Sequence, residues 1–419
     1  MSEAIIESMA ARSLFDSRGN PTVEVEIVTK GGYGSALAPS GASAGAHEVV
    51  SYPKGGVDEG VRLLKAMIEP RLVGFDSSET TTIDGLLHEL DGTKDFSRLG
   101  GNICLAVSLA AAKAASASRK VPLHELLSGN TAAYLPHPLG NVLGGGKHAG
   151  KNAPDIQEFL VLPVKADSFR EMASANIAVH RELRRLLEKT DPTFTGGKGD
   201  EGAWAPNLSN EKALDLVAEA AETVSNGTGV EIRVGLDVAS SSLWDKKSKT
   251  YVYEREGVQR NRGEQIDFTL ELIKRYSLAY VEDPLDEEDF EGFSEVTSRI
   301  GESCMICGDD LFTTNTDRLA RGIKLKAGNA IIIKPNQIGT LTDTLRAVKM
   351  AKGAGYVPIA SHRSGETCDP YLAHLAVGYE CPVVKLGVLG GERLSKVNEL
   401  LRIEESLGSR ARVAKLSSI

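Results

Sequence analysis

From about residue 230 onward, short apolar runs end again and again in an ionisable residue. RVGLD ends at Asp237, LAYVED reaches Glu282, MICGDD reaches Asp309, AIIIK ends at Lys334, PIASHR carries His362 and CPVVK ends at Lys385. Successive steps are 45, 27, 25, 28 and 23 residues, and the last four each fit one strand plus one helix of a parallel βα array. Strands apolar on both sides imply a sheet covered on both faces. The long first step holds WDKKSKTYVYEREGVQR, which predicts an inserted hairpin or loop. Repeats of this length favour a closed (β/α) barrel over an open doubly wound sheet. No G-x-G-x-x-G follows the first of these strands, which weakens the dinucleotide-binding alternative further.

The first third is patterned differently. Residues 4–9, 22–29 and 33–38 read as three short strands, the second alternating as TVEVEIV. Helical patterns follow near 58–69, 79–90, 102–119 and 122–128. Three strands followed by helices make an α+β unit, with a boundary at the proline-rich LPHPLG. The expected division is an N-terminal α+β domain over 1–134 and an α/β barrel over 135–419.

Composition adds exclusions. The 419 residues, 41% hydrophobic and 25% charged, suit a globular chain with a large core. A net charge of −9 argues against nucleic acid as a partner and makes local clusters of cations informative. Five cysteines suggest reduced thiols and a cytoplasmic setting. Cys304 and Cys307 form a lone C-x-x-C on a strand, where positions three apart face opposite ways, so joint metal binding is not expected. MSEAIIESMA has no signal-peptide pattern. The Ala-rich run ICLAVSLAAAKAASAS is too short to span a bilayer and reads as a buried helix, so no membrane partner is expected.

In a βα barrel the chemistry gathers where strands end. Any one of the ionisable strand ends is as well explained by a cap or an ion pair. Six in succession read as a site. Asp237, Glu282 and Asp309, without neighbouring His or Cys, suit Mg2+. Asp283 and Asp310, alternating with them, are expected to face away. Lys334 and Lys385 then lie opposite the ion. For one of them to act as a base its pKa must fall from about 10.4 toward 7–8, roughly 4 kcal/mol. The other lysine, Arg363 and the metal are expected to drive that fall. A lysine base facing Mg2+ fits abstraction of a proton beside a carboxylate. Two further loops, GKGDEGAWAPN and PDIQEFLV, hold Glu201, Gln157 and Glu158.

These residues sit in stretches that carry a family resemblance. DSRGNPTVEVE, PSGASAG, GGGKHAG, IQEF, GDEG, GLDVA, EDP, DDL, KPNQIGT, SHRSGET and LLRIEES, in this order over essentially the whole chain, resemble enolase. The resemblance implies a (β/α)8-type barrel of the enolase kind behind a smaller capping domain. It also implies reversible dehydration of 2-phosphoglycerate to phosphoenolpyruvate, in glycolysis and gluconeogenesis. Carried over by position, Lys334 removes the carbon-2 proton, and Glu201 with Glu158 protonates the departing hydroxyl. Lys385 and the metal hold the carboxylate, and Arg363, Ser364 and His148 take the phosphate side. His362 and Gln157 line the pocket. Two Mg2+ are implied, one on Asp237, Glu282 and Asp309, the second arriving with substrate and meeting Ser40. A homo-oligomer, dimer or octamer, is implied as well, and a secondary surface or scaffold role is compatible with the family. The chain departs from the pattern in a longer GKNAPDI loop, in GDEGAW and in the Leu-Gly after Lys385.

GGKHAGKN falls one position short of a nucleotide phosphate loop, Asn152 standing where Ser or Thr is required. LPHPLGNVL before it is broken by prolines, and Pro154 after it disfavours a helix, so an NTPase is not expected. Two rivals remain: another lyase or racemase of the same superfamily, and a non-catalytic binding protein on the same fold. The first typically arranges its bases as K-x-K on an earlier strand. The second has no reason to retain Lys334, Glu201 and all three acids.

Overall fold

The alternation in TVEVEIV folds as expected. In the strand Pro21–Thr29, Val23, Val25 and Ile27 are fully buried, while Glu24 and Glu26 reach Arg12 on the opposite face. This computed structural model describes residues 2–41, 45–129 and 133–416; Ala42, Ser43 and Ala44 of the PSGASAG loop lie outside the described residues. Ile6–Phe15, Pro21–Thr29 and Tyr33–Leu37 form an antiparallel sheet in chain order. The Ala-rich run becomes the helix Gly101–Arg119, buried on nearly every side. It lies so close to the sheet that a Cβ at Gly34 would stand 2.2 Å from the Ala110 carbonyl oxygen. The helix expected near 58–69 is interrupted: Gly56–Leu63 gives way to a π turn, Leu64–Ile68, before Glu69–Leu72. Pro70 explains this, since its ring and missing N–H cannot join a regular α ladder.

The second part is a closed eight-stranded barrel, in the order Tyr280–Glu282, Met305–Gly308, Ala330–Ile333, Val357–Ser361, Val383–Gly387, His137–Gly144, Glu158–Lys165 and Glu231–Asp237. The array therefore starts two strands earlier than its regular spacing shows. It is also not wholly parallel, because Glu158–Lys165 runs antiparallel to both neighbours. A parallel return needs a crossover, usually a helix, and between 144 and 158 there is only the 3-10 turn Gly146–His148. Its helices come afterwards, Phe169–Thr190 and Asn210–Thr228. His137–Gly144 is itself a strand despite its prolines, which corrects the first ground for rejecting a phosphate loop. The absence of a following helix still rejects it.

Alternate strand residues fill the barrel. Leu139, Leu160, Tyr280, Cys307, Ile332 and Ile359 belong to the interior cluster, whereas Ile331, Ile333 and Cys304 pack in the shell under the helices. Cys304 and Cys307 thus face opposite ways. The segment 244–260 forms a small antiparallel meander. No described helix is long and apolar enough to cross a membrane. The N-terminal sheet and helices sit over the barrel mouth through Lys113–Asp369 (2.6 Å), His88–Asp343 (2.7 Å) and a Ser40–Gly365 bridge.

Candidate active site

The antiparallel strand determines the layout of the site. Seven parallel barrel strands bring their C-terminal ends to the mouth, and Glu158–Lys165 brings its first residue, so Glu158 pairs in register with Asp237. The mouth holds a cavity whose lining includes His148, Gln157, Glu158, Glu201, Asp237, Asp309, Lys334, His362, Arg363, Ser364 and Lys385. Eleven of the residues expected in the site therefore meet there. Glu282, wholly buried, lies just beneath the wall.

One wall is acids and ammonium groups. Lys385 Nζ donates to Glu282 Oε2 (2.6 Å) and Asp237 Oδ2 (3.0 Å), and lies 3.2 Å from Glu158 Oε2. Lys334 Nζ pairs with Asp309, whose other oxygen accepts from Gln337 (2.9 Å). Tyr280 OH donates to Glu282 (2.5 Å), and Gln157 lies 3.4 Å from Asp237. Paired with these acids, neither lysine is depressed. Burial pulls Lys334 down, but Asp309 and Glu282 outweigh it and its pKa is raised. Burial likewise opposes charge on Lys385, and Asp237, Glu158 and Glu282 raise it well above the ordinary value.

Asp283 and Asp310 do not face away. Asp283 adopts φ 40°, which breaks the strand's alternation and turns its carboxylate toward the next strand end. There it accepts from the Asp309 and Asp310 amides at 3.1 and 2.8 Å. Both acids line the cavity. Among the described residues, two groups gather possible ligand atoms within 4.8 Å of one another: Asp283, Asp309 and Asp310, and His148, Glu158 and Glu201. Asp237, Glu282 and Asp309 are not one of these groups: the first two share Lys385, and Asp309 pairs with Lys334. Their donors are all oxygen, and Glu282 Oε1 is buried without a hydrogen-bond partner, a set that fits a hard divalent cation. Ser40 stands apart from the acids. Its hydroxyl donates to Asp16 (2.5 Å) and its main chain pairs with Gly365.

Adjoining it is a second wall, a pair of glutamates among histidines. Glu201 sits at φ 66° in a turn that its glycines make possible. A Cβ at Gly199 would meet the His148 carbonyl oxygen at 2.0 Å, and one at Gly202 the Leu389 carbonyl oxygen at 2.1 Å. Glu201 Oε2 accepts from Asn141 (3.0 Å) and lies 3.2 Å from His362 Nε2. His148 Nδ1 is 3.3 Å from Glu158 and 4.0 Å from Glu201, so the longer GKNAPDI loop still delivers it. Burial, then Glu201, pushes Glu158 well above the usual carboxylate range. Burial lowers His148 and brings His362 down to about 3. Burial alone would raise Glu201, but His362, His148 and Arg393 beside it hold it well below. The two neighbouring carboxyls are therefore pushed in opposite directions.

Three participants escaped the sequence reading. Glu48, from the capping part, makes a bidentate pair with Arg363 (3.0 and 3.1 Å) and lines the cavity. Asn336 accepts from Arg363 at 2.7 Å. Arg393 reaches His362 from the C-terminal helix. It had a sequence signal, since it falls on the same helical stripe as Val397, Leu400 and Leu407.

Acids and lysines converging at the capped mouth of a closed barrel define an α/β-barrel enzyme. Residues 132–418 match the family described as enolase, C-terminal TIM barrel domain, and residues 6–127 the enolase N-terminal domain. The enolase of Methanothermobacter thermautotrophicus is 54% identical over 405 residues, 97% of each chain. That of Methanosphaera stadtmanae is 53% identical over 97% of this chain and 98% of its own, and that of Pyrobaculum aerophilum 46% over 97% of each. The chain belongs to the enolase family and is a lyase, a phosphopyruvate hydratase. Membership implies a phosphorylated small-molecule substrate and a metal cofactor.

Proposed function

We propose that the chain catalyses the reversible, Mg2+-dependent dehydration of 2-phospho-D-glycerate to phosphoenolpyruvate in the cytoplasm, serving glycolysis and gluconeogenesis. The capping domain, 1–134, closes the mouth of the barrel, 135–419. One observation carries the reading: the two ammonium groups and the Glu158–Glu201 pair line one cavity. Removal of a carbon-2 proton and departure of a carbon-3 hydroxyl need a base and an acid in that relation.

Lys334 takes the carbon-2 proton. To do so it must be free of Asp309, because paired with that acid it is held protonated. Asp237, Glu282 and Asp309 would hold Mg2+, which when bound supplies positive charge against the substrate carboxylate and the negative charge that develops there. With the acids so engaged, burial and the cations Arg363 and Lys385 favour the neutral amine. Lys385 orients the carboxylate. Glu201 gives the proton from the Glu158–Glu201 pair to the leaving hydroxyl, which departs as water. Arg363, Ser364 and His148 take the phosphate, for which Glu48 must yield the guanidinium.

The test is direct. Purified protein with Mg2+ should generate phosphoenolpyruvate absorbance from 2-phosphoglycerate, and a chelator should abolish it. No product under these conditions sinks the reading.

A further inference from the structure

The helix Gly391–Leu407 buries Arg393, Lys396, Val397, Leu400, Ile403 and Leu407. A cation on such a face is costly unless it is paired and hydrogen-bonded. Lys396 answers to Thr367 and Glu366. Arg393, fully buried, answers to the site. One terminal nitrogen donates to the Arg363 carbonyl (2.6 Å), and the other to the Ser364 carbonyl (2.7 Å). The first of these also lies 2.8 Å from His362 Nδ1.

The Gly387 amide points at the same ring nitrogen, 3.3 Å away. A guanidinium and a backbone amide are donors only. Two donors on Nδ1 leave that nitrogen as the acceptor, so the ring proton belongs on Nε2. Nε2 faces Glu201 Oε2 at 3.2 Å.

We propose that Arg393 is a positioning residue that fixes His362 as the Nε2–H tautomer, so that its N–H lies beside Glu201 and the ring cannot take Glu201's proton. Nδ1 is covered and Nε2 is already protonated, so the acid's proton has Glu158 and the cavity as its outlets. The groups facing His362 agree. Arg393 from the helix and Lys385 from its strand oppose a charge on the ring, as burial does, and Glu201 alone favours one. The inference rests on the reading of this wall as the acid side of the dehydratase.

The full chain labelled with 15N-histidine tests it, with H362Q assigning the resonance. The expected result is a protonated Nε2 and a bare Nδ1 at His362, unchanged across the range in which a free histidine titrates. A proton on Nδ1, or titration near the ordinary histidine value, overturns the proposal. In R393M the ring should lose its fixed tautomer, and kcat should fall about tenfold to hundredfold with KM changed far less. R393K, keeping a donor, should restore much of both. R393M with the wild-type tautomer and pH profile overturns it. Should R393M fail to fold, the wild-type spectrum decides. A correct spectrum in a protein that does not dehydrate 2-phosphoglycerate removes the reaction and leaves this assignment standing.

Discussion

The two walls of the cavity are built on opposite principles. The acid–lysine wall comes from the regular array, where strands contribute ionisable residues at or near their ends and two ammonium groups are set among several buried acids. The glutamate–histidine wall comes from the irregular stretch between 141 and 204 and from His362. It sets carboxyls against histidines instead, with burial opposing charge on Glu158 and on both rings. One wall can move a proton only when its ion pairs are broken. The other can give one only when the proton that burial favours on Glu158 passes to Glu201.

Breaking each wall separately gives the largest effects. Lys334→Ala should cost about 10²–10⁴-fold in turnover and also abolish solvent exchange of the carbon-2 proton. Glu201→Gln should lose a similar factor in dehydration yet retain that exchange. Exchange surviving in the lysine variant would place the base elsewhere. Next in size, Lys385→Met leaves Asp237, Glu158 and Glu282 buried around an uncharged chain. Removing one partner from such a cluster costs about 3–5 kcal/mol. The unfolding midpoint should drop accordingly and recover in part with Mg2+. A variant as stable as the parent without metal would show that the wall is not held by charge balance.

The walls also differ in how far the sequence shows them. Asp237, Glu282, Asp309 and Lys334 are legible because strand ends recur at regular spacing. Glu158 is legible only as a residue in a motif, because nothing in EFLVLPVK says that this strand runs backwards. Glu201 looks like a turn former until its glycines are seen against the His148 and Leu389 carbonyls. Spacing cannot show contacts between distant segments. The Glu48–Arg363 pair and the lysines' raised pKa values are of that kind, since each depends on which charges fold adds to a side chain's surroundings.

A smaller effect sharpens the contrast through pH. His180 supports the glutamate wall from outside, its Nε2 2.9 Å from the Gly202 carbonyl and its ring against Trp204. Burial first, then nearby cations, lowers its pKa to about 4. The folded value lies below the unfolded one, so this stability is fully present above about pH 6.5 and is lost as pH falls toward 4. The loss amounts to about 3 kcal/mol. His180→Gln should flatten the acid side of the stability curve. An unchanged slope between parent and variant would remove His180 from the account.

The smallest effect isolates backbone from charge. Gly202→Ala adds one methyl group to a residue at φ 73°, aimed at the Leu389 carbonyl oxygen. Left-handed strain together with crowding should cost about 1–3 kcal/mol. The displaced turn should move Glu201 off His362 and Asn141, lowering kcat more than KM. Gly197→Ala, five residues earlier with nothing within 4 Å of the added carbon, should leave both unchanged. The acid–lysine wall offers a matching measurement, because carbon-2 proton exchange depends on Lys334 and not on the turn. Gly202→Ala should therefore slow dehydration while exchange continues near the parental rate. If exchange and dehydration fall together, the turn is coupled to the lysine side, and the separation of the two walls fails.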